Sequence, residues 1–98
     1  MKSKKNPRIG SDLDDFLREE GIYEEVVAAA LKKTVAIKFG RQMRNKGMSV
    51  ASLAKRLGTS RAVVHRVLDA KNTSLTLHTL ARTASALGCQ VRLEIVAA

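Results

Sequence analysis

The side chains able to do covalent or metal chemistry are few. His65 and His78 are the two histidines, Cys89 is the one cysteine, and Asp12, Asp14 and Asp15 form the tightest carboxylate group. Neither histidine has an acidic or cysteine neighbour at the spacing of a catalytic pair or a metal site. The three aspartates fall at the start of what reads as a surface helix, and the sequence holds no glycine-rich phosphate loop. The chain is therefore expected to be no enzyme and to need no cofactor or metal. A lone cysteine cannot close an internal disulfide. Cys89 reads as a small buried hydrophobe and fits a reducing cytoplasm.

What remains is cationic chemistry. Eighteen Lys and Arg face nine Asp and Glu, a formal net charge of +9. A domain this basic meets polyanions, either nucleic acid or an anionic membrane surface. No apolar run approaches the roughly 18–20 residues of a membrane span. Residues 1–10 are basic but too short and polar to insert, and they lack the apolar stretch of a signal peptide. A cytoplasmic protein with no membrane partner is the expectation. The charge is also uneven. Residues 11–31 carry seven acids (Asp12, Asp14, Asp15, Glu19, Glu20, Glu24, Glu25) against Arg18, whereas residues 32–98 carry 13 bases against Asp69 and Glu94. The basic footprint and the acidic block are separate features.

The elements that must position these charges are mostly helical. With Phe16, Tyr23 and Phe39 as the only aromatics, the core has to come from Leu, Val, Ile, Ala and Met, a palette that favours packed helices. Residues 1–10, with Pro7 and Gly10, read as a flexible basic arm. Ser11 suits a helix N-cap followed by acids in the first turn, and Gly21 ends or breaks that helix. This acidic helical extension covers 11–33. A long helical pattern spans about 23–46, where Val27, Leu31, Val35, Phe39 and Met43 recur every four residues on one slowly drifting face. Gly40 bends it or splits it in two, and Gly47 is a good stop. A helix follows Ser49 and ends at Gly58. Thr59 or Ser60 caps the next, over 61–68. Residues 69–75 (DAKNTSL) have turn chemistry. Thr76 caps a last helix to Leu87, with Leu77, Leu80, Ala81, Ala84 and Leu87 at helical spacing, and Gly88 stops it.

The chain end changes period. Over 90–96, Val91, Leu93 and Ile95 alternate with Gln90, Arg92 and Glu94, the mark of a half-buried strand. No second strand is evident, and a lone strand leaves its N–H and C=O groups unpaired. The simplest partner is the same strand of a second copy, antiparallel about a two-fold axis. With the axis through Leu93, Arg92 meets Glu94 of the other chain. A frayed tail, or pairing with the N-terminal arm, is the other outcome. Val91, Arg92, Leu93, Glu94 and Ile95 are thus the candidate dimer interface, in a segment covering 89–98.

The most informative spacing is Ala54, Gly58 and Val64, flanked by Leu53, Leu57, Val67 and Leu68. Two helices crossing steeply through a turn of three or four residues must approach closely. Ala54 is small where they cross, Gly58 can take the positive φ of the tight turn, and Val64 fills the gap between them. Residues 49–70 (SVASLAKRLGTSRAVVHRVLDA) resemble the helix-turn-helix of the Cro and phage-repressor type, the XRE family. The likeness reaches back to Met43, Gly47, Met48 and Ser49, and forward to Leu77, Thr79, Leu80, Ala84, Leu87 and Gly88. It covers about half the chain. The flanks look like the extensions of small phage-derived regulators and of antidotes in toxin–antitoxin modules.

That resemblance implies a mainly α fold, a lambda-repressor-like helix-turn-helix bundle of about five helices with its DNA-binding domain at 34–88, to which the alternating pattern adds the C-terminal β-strand pairing across a homodimer. It also implies that the second helix of the pair enters the major groove of double-stranded DNA. The outward face is then Ser60, Arg61, Ala62, His65 and Arg66. Arg61 can bond guanine O6 and N7 together, and Ala62 can pack on a thymine methyl. Arg66 can reach a base or a phosphate, as can His65. Val63 is either core or a further thymine contact. Ser49, Lys55, Thr59, Lys71 and Asn72 are the candidate phosphate contacts, while Arg41, Arg44 and Lys46 read as a solvated face, with a position near the DNA backbone as the alternative. The expected function is a homodimeric regulator, in particular a repressor, reading an inverted-repeat operator. The alternative is an antitoxin whose acidic extension binds a basic toxin protein while it controls its own operon. The bland reading of that extension is a solvated amphipathic helix.

Overall fold

The computed structural model describes residues 21–97. The chain divides into two compact units, Met1–Leu31 and Lys32–Ala98. Four helices are described: α1 (Ile22–Asn45), α2 (Val50–Leu57), α3 (Arg61–Leu68) and α4 (Leu77–Ala86). The expected basic arm, the Ser11 cap and the helix it would open lie outside the described residues. The count of about five helices accordingly stands at four among those described.

In the first unit, Gly21 takes a positive φ of 76° just before α1. Glu24 and Glu25 lie in the first turn of α1, where carboxylates complement the helix dipole. Val26, Val27 and Leu31 are exposed. The expected four-residue stripe therefore contributes to a core only in its later part. Val35 is half-buried, and Phe39 and Met43 are buried in the second unit. The helix runs unbroken through Gly40, because buried anchors on either side hold its shape against the weak local propensity.

The second unit is built around α2, which packs against both α3 and α4. Its core is Phe39, Met43, Leu53, Ala54, Leu57, Val64, Val67, Ala84 and Leu87. Each helix of this unit starts on a hydroxyl. Ser49 Oγ accepts from Ser52 N at 3.1 Å, Ser60 Oγ from Val63 N at 3.3 Å, and Thr76 Oγ1 from Thr79 N at 3.1 Å. Ser60, rather than Thr59, is the cap of α3. Leu77 and Ala81 stand at helical spacing with the core residues of α4 but are exposed; Leu80 is half-buried, and Ala84 and Leu87 complete the packing.

The C-terminal segment differs from expectation. No strand forms among the described residues, and 89–97 carries no regular structure. Val91, Leu93, Ile95 and Val96 are exposed. The alternating pattern is a strand pattern, but a strand exists only when a neighbour takes its N–H and C=O groups. No segment among the described residues does so.

Burial sets the expected cost of truncation. Leu53→Ala, at a site with no exposed surface, should lower stability by about 2–5 kcal/mol. Leu77→Ala, at a side chain 74% exposed, should change it by no more than about 0.5 kcal/mol. Urea melts of the two variants check the pair.

Candidate nucleic-acid interface

The turn between α2 and α3 sets the geometry of this face. Gly58 adopts φ 68° and ψ 37°. Thr59 N then donates back to Ala54 O at 2.9 Å and Gly58 N to Lys55 O at 3.1 Å, the paired bonds of a Schellman ending. The chain reverses within two residues and Ser60 opens α3. Ala54, only 4% exposed, and fully buried Val64 hold the two helices together. The spacing of Ala54, Gly58 and Val64 thus has the steric meaning that the sequence suggested.

Burying Val64 and Val67 and half-burying Leu68 turns the other side of α3 outward. Ser60, Arg61, Ala62, His65 and Arg66 are all exposed on it. Val63 is half-buried at its edge, beside a shallow depression that it lines with Arg66, Ser74, Leu75, Thr76 and Thr79. Among the five sequence-derived phosphate candidates, Ser49, Lys55 and Lys71 are exposed, while Thr59 and Asn72 are half-buried. Ser49 is engaged as a cap, and its hydroxyl donates to Ser52 Oγ at 3.1 Å. Asp69 Oδ1 accepts from Lys71 N and Asn72 Oδ1 from Ser74 N, both at 2.9 Å. These two side-chain turns fix the loop after α3 and leave the Lys71 ammonium and the Asn72 amide nitrogen as donors.

The arginines fall into two classes. Arg56 Nη1 donates to Ala86 O at 3.0 Å, and Arg82 Nη2 donates to Leu57 O. These tie α2 and α4 end to end. Arg61 and Arg66 make no side-chain hydrogen bond among the described residues, so their donors are available. Lys46, read from sequence as a solvated cation, shares an open groove with Ser52, Lys55 and Arg56 beside the start of α2.

Sequence reasoning missed Lys32. It is 4% exposed, and its ammonium donates to Arg66 O at 3.0 Å, Asp69 O at 3.0 Å, and Asn72 O. Burial holds it below the usual lysine range, partly offset by the Asp69 carboxylate. A signal was present. Lys32 precedes Phe39 by seven residues and Met43 by eleven, which puts all three on one helix face. Leu31, chosen for its hydrophobicity, points elsewhere and is exposed.

Among the described residues no group of His, Cys, Asp and Glu could hold a metal ion, and no helix is long and apolar enough to cross a membrane. A family model described as a Cro/C1-type HTH DNA-binding domain matches residues 38–92, more than half of the chain. Comparison with curated proteins and with solved structures gives no match.

Two glycines test the backbone argument. A Cβ at Gly58 would meet nothing within 4 Å, so Gly58→Ala should cost about 1–2 kcal/mol from the left-handed backbone alone, and Gly58→Asn less. A Cβ at helical Gly40 would meet only Arg44 Nη1 at 3.8 Å, so Gly40→Ala should add about 0.5–1 kcal/mol. Thermal denaturation of the three variants reads both signs.

Proposed function

The chain belongs to the Cro/C1-type HTH DNA-binding family, and from that premise we propose that it is a repressor reading an inverted-repeat operator as a homodimer. The family makes it a DNA-binding transcription regulator. The finer reading rests on one observation: the exposed face of α3 gathers Arg61, His65 and Arg66, with neither arginine tied to the protein among the described residues. A helix whose buried side is Val64 and Val67 presents that face to a major groove. Arg61, one residue after the cap, would bond guanine O6 and N7. Ala62 beside it suits a thymine methyl. His65 and Arg66 lie one turn on, and Ser60 opens the face. Ser49, Lys55, Thr59, Lys71 and Asn72 would hold the backbone on either side.

The homodimer is supported by the segment 90–96. Val91, Leu93, Ile95 and Val96 are exposed, and their alternation is suited to an antiparallel strand pair about Leu93. There, Arg92 and Glu94 of the two copies neutralise each other. Such a pair would set two α3 helices about one DNA turn apart, on the order of 34 Å.

A second reading, an antitoxin that neutralises a basic toxin, rests on the acids between Asp12 and Glu25 together with exposed Ile22, Val26 and Leu31 beside Glu24 and Glu25. Co-expression with the product of the adjacent gene decides it. A stable complex and restored growth support the antitoxin; neither result leaves the plain repressor.

Footprinting on the DNA upstream of its own gene tests the main reading, and binding with no sequence preference at raised salt overturns it. On a protected site, Arg61→Ala should cost about 1–3 kcal/mol and relax the preference at one base pair. Lys55→Ala or Lys71→Ala should weaken all sequences alike and lower the salt slope by about one. Fluorescence anisotropy across a salt series separates the two patterns.

A further inference from the structure

Three helices of this fold end on a glycine turned left-handed: Gly47 after α1, Gly58 after α2 and Gly88 after α4. Each returns an N–H to the last turn, and in each case the following residue also bonds back: Met48 N to Met43 O, Thr59 N to Ala54 O, and Cys89 N to Ala84 O. Helix α3 has no such ending. Its cap, Asp69, has φ −85° and ψ 113°, an extended backbone that leads away from the helix. The end of α3 is held locally by single bonds only, Asp69 N to Arg66 O at 3.3 Å and, in the loop beyond, Asn72 N to Asp69 O at 3.1 Å.

Lys32 adds a second donor to Arg66 O and to Asp69 O and bonds Asn72 O as well. These acceptors stand at steps of three residues, so one ammonium gathers the last turn of α3 and residues 69–72 of the loop after it. Three N–H donors meet three carbonyls, which is the full capacity of the group. Burying an ammonium is unfavourable unless it is fully hydrogen-bonded, and an apolar residue on this core-facing stripe would avoid that cost. What its three bonds can supply is a conformation that packing alone leaves open. The loop it gathers carries exposed Lys71 and half-buried Asn72, and α3 carries Arg66. Lys32 itself is enclosed and cannot reach a ligand.

We propose that Lys32 is a positioning residue for DNA binding: its ammonium, bonded to Arg66 O, Asp69 O and Asn72 O, sets the end of α3 and the 69–72 loop in the arrangement that places Lys71 and Asn72 on the phosphate backbone. This rests on the DNA-binding reading of α3. An arginine would not substitute, because a planar fork cannot send three donors to three carbonyls around one point.

The test compares Lys32→Met with Leu80→Ala, a destabilising truncation at half-buried Leu80 in α4 that leaves the three Lys32 bonds in place. Both are measured where circular dichroism shows each fully folded. DNA affinity is read by anisotropy on the fragment protected by the unaltered protein, across a salt series, and amide hydrogen exchange is read at Asp69 and Asn72. For Lys32→Met the expected result is an affinity loss of about tenfold, a salt slope smaller by about one phosphate contact, and faster exchange at both amides. Leu80→Ala should keep the slope and the affinity per folded molecule. Lys32→Met with unchanged slope, affinity and exchange overturns the proposal. If the unaltered protein binds no DNA, the functional reading fails, and exchange at Asp69 and Asn72 still decides whether Lys32 orders the loop. If Lys32→Met does not fold, Lys32→Gln, which keeps two donors on a shorter arm, carries the same comparison and the same overturning result.

Discussion

The structure turns on how short helices satisfy their last carbonyls. An α-helix leaves four C=O groups without an internal partner at its end, and α2 and α3 have only eight residues each. Half of the carbonyls in each therefore depend on something else. Left-handed glycines take part of the load after α1, α2 and α4. Long polar side chains from other elements add to this: Arg82 bonds Leu57 O at the end of α2, Lys32 bonds Arg66 O at the end of α3, and Arg56 and Gln42 bond Ala86 O and Leu87 O at the end of α4. Each such bond also joins two helices. With nine buried apolar side chains in the core among the described residues, several of them small, these end-on ties help set helix orientation.

This explains how so basic a chain divides its cations. Lys32 spends all three donors on main-chain oxygens, and Arg56 and Arg82 each commit one. Arg61, Arg66, Lys55 and Lys71 are exposed, and residues 32–98 offer only Asp69 and Glu94 as acids. Asp69 accepts from the backbone of Lys71 and lies close enough to Lys32 to favour its charge. Within the second unit, the outward face of α3 therefore has few acids to offset its bases. That is the electrostatic condition for attracting a polyanion over a Debye length of about 8–10 Å, and it arises from where acids are missing as much as from where bases stand.

The C-terminal segment shows the limit of pattern reading. Alternation of Val91, Leu93 and Ile95 with Gln90, Arg92 and Glu94 describes a chain suited to pairing, yet pairing is a property of two segments. Among the described residues nothing offers the second, so the segment is left with its apolar side chains in water. Leu77 teaches the same lesson within a helix. Its spacing matches the core residues of α4, but α4 and its cap bury Thr83, Ala84 and Leu87 at the later turns and leave Leu77 exposed at the first.

Local chemistry was legible in the sequence. Ser49, Ser60 and Thr76 cap their helices because a side-chain oxygen reaches an N–H three residues on, which needs no tertiary partner. Gly47, Gly58 and Gly88 end helices because only they enter the left-handed region freely. Ala54, Gly58 and Val64 specify the crossing of α2 and α3, and with it the exposed set Ser60, Arg61, Ala62, His65 and Arg66. The burial of Lys32 was not legible from composition, because a lysine is ordinarily exposed and its three acceptors lie 34 to 40 residues away in the chain. Nor was the division of the arginines into tied and free, which depends on which carbonyls the bundle brings within reach. The helix-turn-helix was determined by the sequence alone, since its signals are local and steric. Which cations hold it together, and which remain for a partner, was decided by the tertiary structure, since a hydrogen bond between distant residues exists only once the helices are packed.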